Sequence, residues 1–123
     1  MMTQVVTPAQ IEARLYALSK DIDECHTELV EAEASYNRIK SEYEIAMARS
    51  RMTYATKSSP TGKNYTVQER DDLALLDNEK LHMQIGFAEA AVKAARANAN
   101  RIKTQVEIAR SIGTSVRTSL DLA

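Results

Sequence analysis

Eleven successive positions in the first half of this chain step by alternating fours and threes: Ile11, Leu15, Leu18, Ile22, Cys25, Leu29, Ala32, Tyr36, Ile39, Tyr43 and Ala46. A repeat of 3.5 residues keeps one stripe of an α-helix turned toward a partner helix, and no Gly or Pro interrupts it here. Thr7-Pro8-Ala9-Gln10 starts the helix, with Thr at the N-cap, Pro at the first helical position and Gln at the third. The pattern ends at Ser58-Ser59-Pro60-Thr61-Gly62-Lys63-Asn64, a run of turn formers. Thr66-Val67-Gln68-Glu69 then reads as a capping box opening a second helix.

The second helix carries its own stripe: Leu81, Ile85, Ala88, Val92, Ala95, Ala99, Ile102, Val106, Ala109, Gly113, Val116 and Leu120. Its small middle lets helices approach closely, although each Ala buries little. Gly86 inside this helix costs stability, so either a kink or a close approach calls for it. The sequence therefore predicts an all-α chain. Its form is a long antiparallel two-helix hairpin of coiled-coil type, a single domain over residues 1–123, with helix 8–56, loop 57–65 and helix 67–120. At about 1.5 Å per residue each arm would run roughly 70 Å.

Charge tests the direction of pairing. Asp21, Asp23, Glu24, Glu28, Glu31 and Glu33 form an acidic block, followed by a mostly basic one with Arg38, Lys40, Arg49, Arg51 and Lys57. The second helix reverses the order, with Glu69, Asp71, Asp72, Asp77 and Glu79 before Lys93, Arg96, Arg101, Lys103, Arg110 and Arg117. An antiparallel hairpin sets residues 38–51 beside about 69–82, and 21–33 beside about 87–99, so opposite charges meet. A parallel pair would set like charges together.

Ile108 and Ile112 lie beside the stripe of the second helix and widen its apolar face. A face wider than a two-stranded seam predicts a further helix to cover it, and hence a homo-oligomer. The expected interface is Ile102, Val106, Ile108, Ile112, Val116 and Leu120.

Little in the chain suggests catalysis. His26 follows Cys25, but no second His or Cys stands at ligand spacing, and His82 would fall near Arg38 in the hairpin. Pro60-Thr61-Gly62-Lys63 lacks the first Gly of a phosphate-binding loop, and Asn64 stands where Ser or Thr is required. No nucleophile, acid–base pair, metal set or cofactor motif is present, so the reading is a non-enzyme without cofactors or a small-molecule substrate. A single cysteine fits a reducing compartment, and no apolar run has the length of a membrane span or the form of a signal peptide. The expected location is the cytoplasm.

Two basic clusters remain. Arg49, Arg51, Lys57 and Lys63 gather at the loop end with Tyr54 and Tyr65. Cations that neutralise phosphates beside rings on which bases stack are what single-strand binding requires. The plainer reading of these residues is that Tyr54 and Tyr65 pack across the turn while Arg49 and Arg51 pair with Glu69, Asp71 and Asp72. The second cluster is Arg101, Lys103, Arg110 and Arg117, facing a first-helix start whose one acid is Glu12.

The segment Ala48-Arg49-Ser50-Arg51-Met52-Thr53-Tyr54 resembles part of the UvsY recombination mediators of tailed phages. In that family a long helix ends in basic–x–basic–x–x–Tyr, followed by a Gly-containing loop and a second helical region. Arg49, Arg51 and Tyr54 match the spacing, and Gly62 lies in the loop. The motif covers seven residues and the architecture the whole chain, while the C-terminal half is richer in Ala and the loop longer than in the family. The resemblance implies a ring-like oligomer that binds single-stranded DNA and helps load a RecA-like recombinase onto strands covered by single-strand-binding protein. It assigns DNA contact to Arg49 and Arg51, with Tyr54, Lys57 and Lys63 as neighbours in the same cluster. The competing expectation is a structural or adaptor coiled-coil hairpin that holds another protein and binds no DNA.

Overall fold

The computed structural model describes residues 6–122. Three helices account for nearly all of them: α1 (Pro8–Thr56), α2 (Val67–Asp77) and α3 (Glu79–Leu122). Both anticipated N-terminal caps are formed. Gln10 donates its backbone N–H to Thr7 Oγ1 at 3.3 Å, and Thr7 donates back to Gln10 Oε1 at 3.0 Å. Thr66 and Glu69 make the same reciprocal pair at the start of α2. Each cap satisfies backbone donors that a helix start otherwise leaves open.

Contacts gather into two compact units, a terminal one (Met1–Val30 with Ala94–Ala123) and a central one (Glu31–Lys93). In the terminal unit, Leu18, Cys25, Ile102, Val106 and Ala109 form a buried cluster, with Leu15 and Ala99 packed on it. Ile11 reaches Gly113, where an added Cβ would stand 3.2 Å from Ile11 Cγ2, and Asn98 Nδ2 lies 3.1 Å from Cys25 Sγ. As the contact moves up α1 from 11 to 25, it moves down α3 from 113 to 98, so the pairing is antiparallel. Gly113 matters here because the smallest residue admits the β-branched Ile11 against the opposite backbone.

The central unit is antiparallel too. Arg51 meets Asp71, Ser50 and Met47 meet Asn78, and the Tyr43 and His82 rings lie 5.7 Å apart. His82 thus stands on Tyr43 rather than near Arg38, because the register lies a few residues from the one that the charge blocks suggest. The α1 stripe also shifts phase here. Met47 is buried while Ala46 is only half-buried, so the inner positions run 43, 47, 50 and 54. Two successive steps of four, as at 39, 43 and 47, are a stutter that locally unwinds a 3.5 repeat.

The continuous second helix of the sequence pattern is divided at Asn78, whose backbone leaves helical values at φ −112° and ψ 25°. Its side-chain amide faces three acceptors at once: Ala74 O at 2.8 Å, Ser50 Oγ at 3.0 Å and Met47 Sδ at 3.8 Å. A short amide that bonds its own preceding turn competes with the helical backbone, which is why Asn favours helix ends. By contrast α3 continues through Gly86, around which no atom lies within 4 Å of an added Cβ. That Gly costs about 0.8–1 kcal/mol relative to Ala, without any close packing inside the chain that would require it.

Leu18 is fully buried, at 0% exposure. Truncating such a side chain loses transfer energy and leaves a cavity, although a seam open at its edges relaxes more than a closed core. Leu18→Ala should therefore lower unfolding free energy by about 2–3 kcal/mol, read from urea titrations of the helical circular-dichroism signal. Asn78→Ala should cost about 1 kcal/mol in the same titration, the worth of a half-buried neutral hydrogen-bond set. A more stable Asn78→Ala variant would mean that the amide's contacts do not offset the broken helix.

Candidate nucleic-acid interface at the interhelix loop

The loop after α1 is ordered by its own backbone. Gly62 N–H donates to Ser59 O at 2.9 Å, closing a tight turn with Pro60 as its second residue. Ser59 N–H then donates to Lys63 O at 2.8 Å, and an isolated antiparallel bridge joins Ser58 to Asn64. Gly62 has φ +79°, a left-handed value that any side chain would strain. Arg70 Nε closes the far side by donating to Tyr65 O at 3.2 Å. The turn therefore holds a fixed spacing between the end of α1 and the start of α2.

On this scaffold residues 49–72 carry Arg49, Arg51, Lys57, Lys63 and Arg70 against Glu69, Asp71 and Asp72. A chain of net charge −1 thus keeps a surplus of two positive charges here, and one of the acids, Asp71, is taken up by Arg51. Arg49, Lys57 and Lys63 are exposed, and among the described residues no carboxylate lies within ion-pair distance of them. Lys57 Nζ sits 5.8 Å above the Tyr54 ring, a favourable cation–π approach.

Arg51 and Tyr54 are more engaged than a free binding surface would have them. Arg51 Nε donates to Asp71 Oδ1 at 2.9 Å, joining α1 to α2. Both side chains of this pair are nearly half exposed, so water screens it and its worth is below about 1 kcal/mol. Tyr54 and Tyr65 stack edge to face with centroids 5.6 Å apart. The nearby Asp77 carboxylate favours the protonated Tyr54 phenol and holds its pKa above the usual 10.0, with desolvation, the charge of Asp77 and that of an ionised Tyr65 pushing the same way. The turn-packing arrangement therefore holds for Arg51 and the two tyrosines, while Arg49 stays free. The residues alone favour turn packing; which of Arg49 and Arg51 is paired depends on which α2 residue lies level with each.

The six residues expected at an oligomer interface divide. Ile102 and Val106 are buried against α1 in the terminal cluster, and Val116 is half-buried. A surface already covered within the chain is closed to another. Ile108, Ile112 and Leu120 are exposed at 54%, 43% and 58%, so the outward strip consists of these three. Val6, Ile112, Val116 and Leu120 line one shallow groove there with Ser115 and Ser119.

Of the second basic cluster, Arg101 donates to Asn98 Oδ1 at 2.7 Å and Arg117 Nε to Gly113 O at 3.4 Å, both within α3. Lys103 and Arg110 border a groove with Cys25, His26 and Leu29. Among the described residues, no three His, Cys, Asp or Glu side chains converge as a metal site would need. Nor is any described helix long and apolar enough to cross a membrane.

Replacing Asp71 with Asn should release Arg51 at little cost in stability. If the loop region binds polyanions, Asp71→Asn should bind a single-stranded oligonucleotide more tightly at low salt, by fluorescence anisotropy. Comparison with known protein families, with curated proteins and with solved structures gave no match.

Proposed function

We propose that this chain is a non-enzymatic protein that binds single-stranded DNA through its interhelix loop region and acts, as an oligomer, as a recombination mediator of the UvsY type. The observation that carries this reading is the exposure of Arg49, Lys57 and Lys63 around the loop with no carboxylate at ion-pair distance among the described residues, Lys57 standing over the Tyr54 ring. Cations of this kind bind any phosphate backbone, and the neighbouring rings favour unstacked bases over duplex. The Arg51–Asp71 pair does not close the surface. An exposed ion pair of small worth exchanges readily for a phosphate oxygen. Three to five cations per chain give weak binding alone, so repetition in an assembly supplies affinity. Helping a RecA-like recombinase onto strands held by single-strand-binding protein is the role that the resemblance of residues 48–54 adds.

A second reading has its own support. Arg51 is paired with Asp71, Tyr54 and Tyr65 pack on each other, and Ile108, Ile112 and Leu120 are exposed on α3. A helical adaptor that holds another protein along α3 needs those apolar residues and no DNA at all.

Anisotropy of a fluorescent oligo-dT across a salt series separates the two. For the mediator, wild type binds at low salt, and logarithmic affinity falls with logarithmic salt by about 0.7 per phosphate neutralised. The triple variant Arg49→Ala/Lys57→Ala/Lys63→Ala should then weaken binding and flatten that slope by about 2. Absence of wild-type binding at low salt would reject the mediator and leave the adaptor.

A further inference from the structure

We infer that the outer face of α3 around Gly86 is a self-association surface, on which a second copy of this chain packs antiparallel about a two-fold axis at Gly86. The surface lies within the central unit, and the inference does not depend on whether the loop region binds DNA.

Leu81, Ile85, Ala88 and Val92 turn inward, half-buried or buried. Met83, Phe87 and Ala90 lie roughly on the opposite side of the same helix, at about 100° per residue. They are exposed, Met83 at 53% and Phe87 at 70%, the latter the chain's only Phe. Gly86 stands beside them with nothing within 4 Å of a would-be Cβ. A helix interior that gives up a side chain where nothing in its own chain crowds it lacks an internal reason for doing so. An approaching helix supplies one. Gly86 and Ala90, four residues apart on one face, let a second backbone come close, while Met83 and Phe87 flank the contact and fill it.

The charges select the occupant. Glu79 and Lys93 are both exposed and lie seven residues before and seven after Gly86. Seven residues are close to two turns, so both fall on the Gly86 flank of the face, about 10.5 Å along the axis on either side. Placing a second copy antiparallel about Gly86 brings each Glu79 opposite Lys93 of the other copy, twice by symmetry. A parallel copy would set Glu79 against Glu79 and Lys93 against Lys93. The face is thus self-complementary in the antiparallel sense, which is the requirement of an isologous two-fold interface. Lys93 now rests on Glu89 one turn back, at 3.3 Å with its side chain 73% exposed, a loose pair that it can exchange.

The test uses the full chain and sedimentation velocity across a concentration series, in the wild type and in an Ile108→Asp/Ile112→Asp background that disables the other apolar strip. Phe87→Glu and Gly86→Leu should each weaken association at least about tenfold. Gly86→Leu should also raise the melting temperature of the dissociated chain, since the new side chain meets open space there and Leu favours helix over Gly. That readout distinguishes a lost interface from a lost fold. Glu79→Lys or Lys93→Glu alone should weaken association several-fold, and the two together should restore it. A wild type that remains monomeric at every concentration would overturn the inference, as would association unchanged by Phe87→Glu and Gly86→Leu. If the double reversal is no stronger than the single ones, the antiparallel pairing of Glu79 with Lys93 about Gly86 is wrong.

Discussion

Everything in this molecule hangs on a narrow apolar seam. A helix that meets one partner covers one stripe, and the rest of its circumference must be content with water. Among the described residues nine hydrophobic side chains are buried, whereas fifteen large ones remain exposed. That imbalance explains why the helix starts are capped so carefully. With little core to draw on, each reciprocal Thr–Gln or Thr–Glu cap supplies a sizeable share of the order at its end. It also explains the tight loop, where Gly62 takes the left-handed conformation and backbone bonds from Ser59 and Gly62 hold the turn.

What could be read from the residues alone was whatever local chemistry decides. The stripe from Ile11 to Ala46 is inward-facing at every position but Ile22, which is 42% exposed, and that of α3 at every position but Leu120. Both caps follow from four-residue signatures. Met47 and Asn78 were not legible, and for a shared reason. A stutter in α1 and a break between α2 and α3 have no strong local signal: Met47 replaces Ala46 by a shift of one residue, and Asn78 is an ordinary polar residue inside a periodic pattern. Only the facing of Ser50 and Met47 by the Asn78 amide makes the break favourable, and that contact spans about thirty residues of sequence.

The basic loop region illustrates the same limit in electrostatics. Composition shows the cations, while register decides which of them is paired. Arg49 and Arg51 are equivalent in sequence, two residues apart on one helix; in the fold Arg51 finds Asp71 and Arg49 does not. Likewise Tyr54 and Tyr65 flank the loop, and in the fold they pack on each other edge to face rather than standing open on either side of it. The free cations Arg49, Lys57 and Lys63 then carry most of any attraction for a polyanion. Because net charge is −1, that attraction is local and short in range, fading beyond the screening length of physiological salt.

A small patch of this kind becomes useful only when repeated. Joining identical weak sites converts each further contact into an intramolecular one, at an effective concentration set by their spacing. The chain places two exposed apolar strips on α3, one with Met83 and Phe87 about Gly86 and one with Ile108, Ile112 and Leu120. One strip that pairs two-fold yields a closed dimer and no more. Two strips of different character allow a copy to hold two neighbours at once, from which rings or longer arrays can be built. On the proposed self-pairing, the exposed Gly86, costly in an isolated helix, would find its reason between chains: the space its missing side chain leaves open in one chain is where a second backbone would approach.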